Sequence, residues 1–181
     1  MPLDLEEQEQ LDQFKAFWQK YRNLITGVVT VALFAYAGYS GYQWWRTSQA
    51  TAASQLYETM VTAINKGDKD QTLRAADDLQ KQFSGTPYAA MSSLVAAKIA
   101  SDAGDLAKAM DYLRWATKNA SDQGYLALAK LRLTAQLIEL GTEKDFAEAD
   151  AILKEKPVSD FEPLWSERRG DWYLAQKNTA D

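Results

Sequence analysis

Three glycines, Gly67, Gly104 and Gly141, stand 37 residues apart, and one further step of the same size reaches Asn178. Glycine and asparagine are the residues that most readily take the left-handed backbone conformation ending a helix. Ala63, Ala100, Leu137 and Leu174 keep the interval four residues before each joint, and Tyr88 and Tyr125 keep it as well. Beyond residue 46 the chain has few β-branched runs and no alternating apolar pattern, so a period of this size signals stacked helical hairpins. Each hairpin is too small to bury its own apolar face and must lean on its neighbours. Residues 46–181 are therefore expected to form an all-α solenoid.

The hairpins can be placed in turn. The first helix of unit one is expected at about residues 50–65 and its second at 71–83, ended by Ser84-Gly85-Thr86-Pro87. Unit two starts near Tyr88, turns at Gly104-Asp105 and presents Leu106, Ala109, Met110, Leu113 and Ala116 on one face. Ser121 to Gly124 separates it from unit three, which runs from Tyr125 to Leu140. A longer turn, Gly141 to Lys144, then leads to Phe146, Ala149, Ile152 and Leu153, and Pro157 closes the helix.

A second feature lies upstream. From Asn23 to Trp45 the sequence carries no formal charge, and at 1.5 Å per residue a helix of that length spans about 34 Å, enough for a hydrocarbon core of about 30 Å. A soluble core helix this long would show a charged face. Trp18 and Tyr21 precede the span, and Tyr42, Trp44 and Trp45 end it, where amphipathic rings favour the headgroup zone. The Ala50-Thr51-Ala52 triplet could suit a signal peptidase, but the apolar run is longer than a signal core and Arg46 closes it first. Retention as an anchor is expected.

Lys15, Lys20 and Arg22 lie before the span, against Arg46 alone between the span and Lys66. The positive-inside rule then puts the N-terminus in the cytoplasm and the rest outside it, which in a bacterial cell means an inner-membrane anchor and a periplasmic array. Three parts follow: a leader over residues 1–22, a transmembrane helix over 23–45 and a periplasmic domain over 46–181. In the leader, Leu11, Phe14, Trp18 and Tyr21 form an apolar stripe at helical spacing. It either extends the span, lies on the bilayer surface or docks a partner. Ala37 and Gly41, with Gly38 beside them, make a small-residue face that would let another helix, including that of a homodimer partner, approach closely.

The chain contains no Cys and no His, which removes thiol nucleophiles, Ser-His-Asp triads, Cys/His zinc sites and CxxC redox pairs. No metal site and no cofactor is expected. Acid pairs such as Asp77-Asp78 and Asp102/Asp105 fall on turns or exposed faces, and no phosphate-binding or nucleophile-elbow motif occurs. The chain is not expected to be an enzyme. A net charge of -5 argues against nucleic acid as a partner.

GDLAKAMDYLRWA in unit two and DFAEADAIL in unit three resemble the second helix of a tetratricopeptide repeat. Gly104, Ala109, Leu113 and Ala116 match its turn glycine, alanine, larger apolar residue and final alanine. In unit three Gly141, Ala149 and Leu153 match across the longer turn, with Lys156 in the last place; in unit two Ala97 fits the small central position of the first helix and Ser93 replaces its aromatic. The whole layout of acidic amphipathic leader, single span ending in aromatics and divergent array is similar to the YfgM family, the ancillary subunit of the bacterial Sec translocon. The likeness includes Ser84 to Ala89 and Arg169-Gly170-Asp171.

That resemblance implies association with the SecYEG channel, with a membrane-anchored periplasmic chaperone of the prolyl-isomerase type and with newly exported client proteins, and it supplies no catalytic residues. It also implies another second helix after the fourth joint, whereas this sequence reaches Asp181 just past it; either the sequence is a truncation or its last helix packs as a cap. Arrays of this type bind segments along a concave face lined by their first helices, and aligning the turns puts Tyr57, Leu94, Lys98, Leu131, Trp165, Arg168 and Trp172 on or near it. The competing reading makes those aromatics core packing and Lys98 and Arg168 solvated surface. The alternative function is an adaptor for another envelope complex, in cell-wall or outer-membrane assembly, or in stress-response regulation.

Overall fold

A computed structural model of the chain describes residues 5–179, with side chains from residue 9 to residue 177. Ala180 and Asp181, where the chain-end expectation falls, and the first four leader residues lie outside the described residues. Seven α-helices are present among the described residues: α1 (Leu5–Asn65), α2 (Lys69–Gln82), α3 (Pro87–Asp102), α4 (Leu106–Asn119), α5 (Gln123–Leu140), α6 (Glu143–Leu153) and α7 (Glu162–Thr179). A single 3-10 turn, Ser159–Phe161, precedes α7. No strand occurs among the described residues, in keeping with the all-α expectation. The chain divides into two compact units between Thr47 and Ser48.

The first unit is helical from Leu5, and its apolar run is a candidate membrane anchor. It is long and apolar enough to cross a bilayer, and none of its apolar window is buried in protein. Leu24, Val28, Val31, Leu33 and Phe34 all stand exposed, as lipid-facing side chains must. At its far end the rings of Tyr42 and Trp45 lie 6.2 Å apart and Arg46 sits 5.9 Å over Tyr42, a cation held against an aromatic at the expected headgroup depth.

In the second unit the hairpins follow one another. α2 packs on α3, α3 on α4, α4 on α5 and α5 on α6, and α7 lies against α5 and α6. The turns repeat because their chemistry repeats. Gly67, Gly104 and Gly141 have φ of 72°, 82° and 66°, a conformation that costs an L-residue with a Cβ about 1–2 kcal/mol. The residue after each glycine caps the next helix, whose first backbone N–H groups have no partner of their own. The Asp68 carboxylate accepts from the Gln71 N–H at 2.9 Å, Asp105 from Lys108 at 3.0 Å, and the Thr142 hydroxyl from Asp145 at 3.2 Å.

These caps fix the register of the third unit and correct one expectation. α6 begins at Glu143, so the turn after Gly141 is not extended. The buried positions then superpose without a gap: Thr72, Ala109 and Phe146; Ala75, Tyr112 and Ala149; Leu79, Ala116 and Leu153. Phe146, not Ala149, takes the place of Ala109. A second correction concerns the last joint, since α7 continues through Asn178 to Thr179 and Asn178 does not turn the chain.

Alanine sets the spacing of the core. Ala89, Ala90, Ala96, Ala97 and Ala100 of α3 are all buried, which lets its backbone come close to its neighbours and makes the fit sensitive to single methylenes. Larger side chains fill the remainder, chiefly Met60, Leu79, Leu133 and Leu137. Polar groups tie successive second helices together: the Tyr112 hydroxyl of α4 donates to the Asp77 carboxylate of α2 at 2.6 Å, and Arg114 of α4 donates to Glu148 of α6.

Candidate partner-binding surface

The side chains aligned on one face separate by depth. Leu94, Leu131 and Trp165 are buried; Leu131 and Trp165 pack with Leu153 between α5, α6 and α7. The Trp165 indole N–H donates to the Leu153 carbonyl at 3.2 Å, so its polar edge is satisfied inside the array. Tyr57 is half-buried, its ring 5.7 Å from that of Tyr88, and burial first, then the nearby Tyr125 hydroxyl, raises its pKa above the ordinary tyrosine value.

The other three aligned residues are exposed or partly buried. Lys98 is exposed and pairs with Asp102 one turn on. Arg168 is partly buried and pairs with Asp171 at 2.9 Å, while its Nε is buried without a hydrogen-bond partner. Trp172 is half-buried and donates its indole N–H to the Phe146 carbonyl at 3.1 Å.

Trp172 and Lys98 each line a groove, and Arg168 lines neither of the two. One, of about 600 Å³, lies between α6 and α7 and is lined by Gly141, Glu143, Phe146, Ala147, Asp150, Trp172 and Gln176. The other, of about 290 Å³, is formed by α3, α4 and α5 and brings Lys98 beside Ser101, Arg132, Ala135 and Gln136 over a floor of Ala109 and Leu113. Arg132 uses one guanidinium nitrogen on the Leu94 carbonyl at 3.2 Å. The Gln136 side-chain oxygen is buried without a partner.

Both grooves combine apolar walls with a few polar groups, the makeup of a surface that takes a protein segment. Neither holds a cluster of titratable groups suited to acid-base or metal chemistry. No group of His, Cys, Asp and Glu able to bind a metal ion is present among the described residues.

Arg132, Ala135, Gln136 and Phe146 were not among the residues aligned from the sequence, yet the period marks one of them plainly. Ala135 stands 37 residues after Lys98 and 37 before Trp172, and all three line grooves. In the first unit, Ala37, Gly38 and Gly41 lie on the exposed apolar helix, and a Cβ added at Gly38 or Gly41 would meet nothing within 4 Å. The leader residues Leu11, Phe14 and Trp18 are exposed as well.

Comparison with known proteins gives a consistent picture. The family model described as a tetratricopeptide repeat-like domain matches residues 15–181. A protein of Neisseria gonorrhoeae named ancillary SecYEG translocon subunit is 32% identical over 182 residues, covering 100% of this chain and 86% of the relative. Proteins of the same name from Haemophilus influenzae and Escherichia coli are 27% and 29% identical, covering 78% and 82% of this chain and 69% and 68% of their own lengths. No solved structure matches the chain.

Proposed function

The chain belongs to the tetratricopeptide repeat-like family of ancillary SecYEG translocon subunits, and from that premise we propose that it is a non-enzymatic, membrane-anchored interaction protein of the Sec translocon. The observation that carries the reading is the likeness to the Neisseria relative over the whole of this chain, which takes in the apolar run and the helical array together. The run anchors the protein in the bacterial inner membrane with the leader in the cytoplasm, as Lys15, Lys20 and Arg22 before the span favour. The array then stands in the periplasm, at the exit of the channel.

There its grooves hold a membrane-anchored chaperone of the prolyl-isomerase type and segments of newly exported proteins. Trp172 and Phe146 supply apolar anchors in one groove, and Lys98 and Arg132 supply donors for backbone carbonyls or carboxylates in the other. Tyr57 and Arg168, partly exposed, contribute at the edges, while Leu94, Leu131 and Trp165 shape the face from beneath. The absence of His and Cys from the sequence agrees with a binding role.

The test is photo-crosslinking in membranes from Tyr42, Lys98 and Trp172, with captured proteins identified by mass spectrometry. Translocon subunits are expected at Tyr42, and the chaperone or an exported chain at Lys98 and Trp172. Recovery of a cell-wall or outer-membrane assembly complex at all three positions, with no translocon subunit, would replace this function with that of an adaptor for the other machinery.

A further inference from the structure

The candidate span is not uniformly apolar in its second half. Phe34 lies midway between Arg22 and Arg46, the charges that bound the span. At 1.5 Å per residue Tyr36 is about 3 Å beyond that midpoint, Tyr39 about 8 Å and Gln43 about 14 Å, all inside a hydrocarbon half-thickness of about 15 Å. At 3.6 residues per turn, Tyr36, Tyr39, Ser40 and Gln43 share an arc of about 100°. Gly38 and Gly41 lie about 150° from the centre of that arc, on the other side of the helix. All four polar side chains are exposed, Tyr36 by 71% and Tyr39 by 62%.

An aromatic belt at the headgroups does not account for this stripe. Side chains on a helix tilt toward its N-terminus, so the Tyr36 and Tyr39 hydroxyls are carried inward, away from the interface that suits Trp44 and Trp45. Gln43 shows the direction: its amide donates to the Tyr39 hydroxyl at 2.8 Å, one turn deeper, instead of reaching outward. That bond leaves the Tyr39 proton, the second Gln43 amide hydrogen and the Gln43 carbonyl oxygen to be satisfied. A serine or threonine in a span can bond the carbonyl four residues back, as Thr59 does to Gln55 further along the same helix. A tyrosine hydroxyl cannot reach its own backbone. In hydrocarbon an unpaired hydroxyl or amide is costly, and polar side chains at such depth turn toward protein.

Resting on the reading of residues 23–45 as a membrane span, we propose that the face formed by Tyr36, Tyr39, Ser40 and Gln43 docks a transmembrane helix of another inner-membrane protein, one carrying small residues with hydroxyl or amide side chains at the same depth. Hydrogen-bond complementarity selects that occupant. Lipid tails offer no acceptor for the tyrosine protons and no donor for the Gln43 carbonyl, whereas a neighbouring helix with Ser, Thr, Asn or Gln offers both. A second copy fits poorly. Two anchors of the same topology pack in parallel, which sets tyrosine against tyrosine at equal depth and holds the backbones apart. A partner with small residues lets both rings lie against its backbone and pair with its side chains.

The test uses the full chain in inner-membrane vesicles, with a photo-crosslinking amino acid at Ala32, on the polar face one turn before Tyr36, or at Phe34, on the opposite side at nearly the same depth. Alkaline carbonate extraction comes first: release of the chain from the membrane would fail the anchor reading and the proposal with it. For the retained chain, protein adducts from Ala32 are expected to exceed those from Phe34 at least about threefold. The triple variant Tyr36→Phe/Tyr39→Phe/Gln43→Leu is expected to lower the Ala32 yield by about the same factor, the range of interhelical hydrogen bonds in lipid. These substitutions make the span more apolar, so insertion is preserved. The adduct peptide, mapped by mass spectrometry, is expected in an apolar segment long enough to span and carrying Ser, Thr, Asn or Gln. Equal yields at the two positions, an unchanged yield in the triple variant, or adducts confined to lipid would overturn the proposal. An Ala32 adduct joining two copies of this chain would also overturn it, by assigning the face to self-association. The source of the adduct peptide bears separately on the Sec reading: a helix from outside the translocon would keep the docking face and fail that reading alone.

Discussion

Arg114 of α4 and Glu148 of α6 are joined by two parallel hydrogen bonds, Nε to Oε1 at 2.9 Å and Nη2 to Oε2 at 2.8 Å. This planar geometry makes the pair directional as well as attractive, and a lysine could not reproduce it. The hydrogen bond from Arg114 holds the Glu148 carboxyl below its ordinary pKa, against a smaller opposing effect of burial. The two side chains remain 34% and 31% exposed, so solvent screens much of the attraction, and a coupling of about 0.5–1 kcal/mol is expected from a double-mutant cycle with Arg114→Ala and Glu148→Ala. Because the folded-state pKa is the lower one, the contribution is complete above the unfolded value, near 4.5, and is lost as pH falls through the folded value. Urea unfolding repeated at pH 7 and at successively lower pH below 4.5 checks both parts: full coupling is expected at the first and a progressive loss along the acid series.

Tyr112 gives the opposite dependence. Burial, then the hydrogen bond to Asp77 and its negative charge, push the Tyr112 hydroxyl well above the ordinary tyrosine pKa of 10.0. A group whose folded pKa is raised stabilises the fold fully below its unfolded pKa and ceases to do so as pH rises through the folded one. Tyr112→Phe is expected to lower stability by about 1–2 kcal/mol at pH 7, since the Asp77 carboxylate loses a short donor. The same substitution is expected to flatten the fall in melting temperature above pH 10. An alkaline limb as steep as that of the parent chain would show that the hydroxyl is not the titrating group.

Much of this architecture is visible in the residues because its turns are chemically repetitive. Gly67, Gly104 and Gly141 announce the hairpins, and glycine is the residue that takes their positive φ at least cost. The local pattern misplaces the third unit because Ala149 looks like the alanine of the second helix, whereas the caps Asp68, Asp105 and Thr142 keep the same interval and place Phe146 there instead. A bulky ring in a small residue's place is a tertiary accommodation that a local pattern does not show. Asn178 fits the period of the joints, but asparagine permits the left-handed turn without requiring it, and here the helix continues. The site was less legible than the fold. Leu94 and Lys98 are one helical turn apart, yet one is buried and the other exposed, and which side of a first helix meets its neighbours depends on packing between units.

The turn argument carries its own prediction. Gly104→Ala places a Cβ at φ 82°, where there is open space and the cost is backbone strain alone. A loss of about 1 kcal/mol is expected, close to that of Asp105→Ala, which removes the cap on the Lys108 N–H. The two residues act on one turn, so the double variant is expected to lose less than the sum of the single losses. Chemical denaturation of the four chains measures this directly, and strict additivity would separate the glycine from the cap.

Trp165 and Trp172 lie seven residues apart on α7 and should separate folding from binding. Trp165 is 3% exposed with its indole N–H on the Leu153 carbonyl; truncation to alanine opens a cavity among Leu131, Leu153 and Phe161 and is expected to cost about 3–5 kcal/mol. That is a large part of the 5–15 kcal/mol typical of a domain, so Trp165→Ala should melt well below the parent chain. Trp172 is half-buried at the wall of the α6/α7 groove, and Trp172→Ala should cost about half as much while removing the largest apolar anchor that groove offers. Circular dichroism melting together with crosslink yield from Lys98 and from Gln176 distinguishes the two effects. Trp172→Ala is expected to keep its fold and its Lys98 crosslinks and to lose those at Gln176; an unchanged yield at Gln176 would mean that Trp172 only packs α7 onto α6.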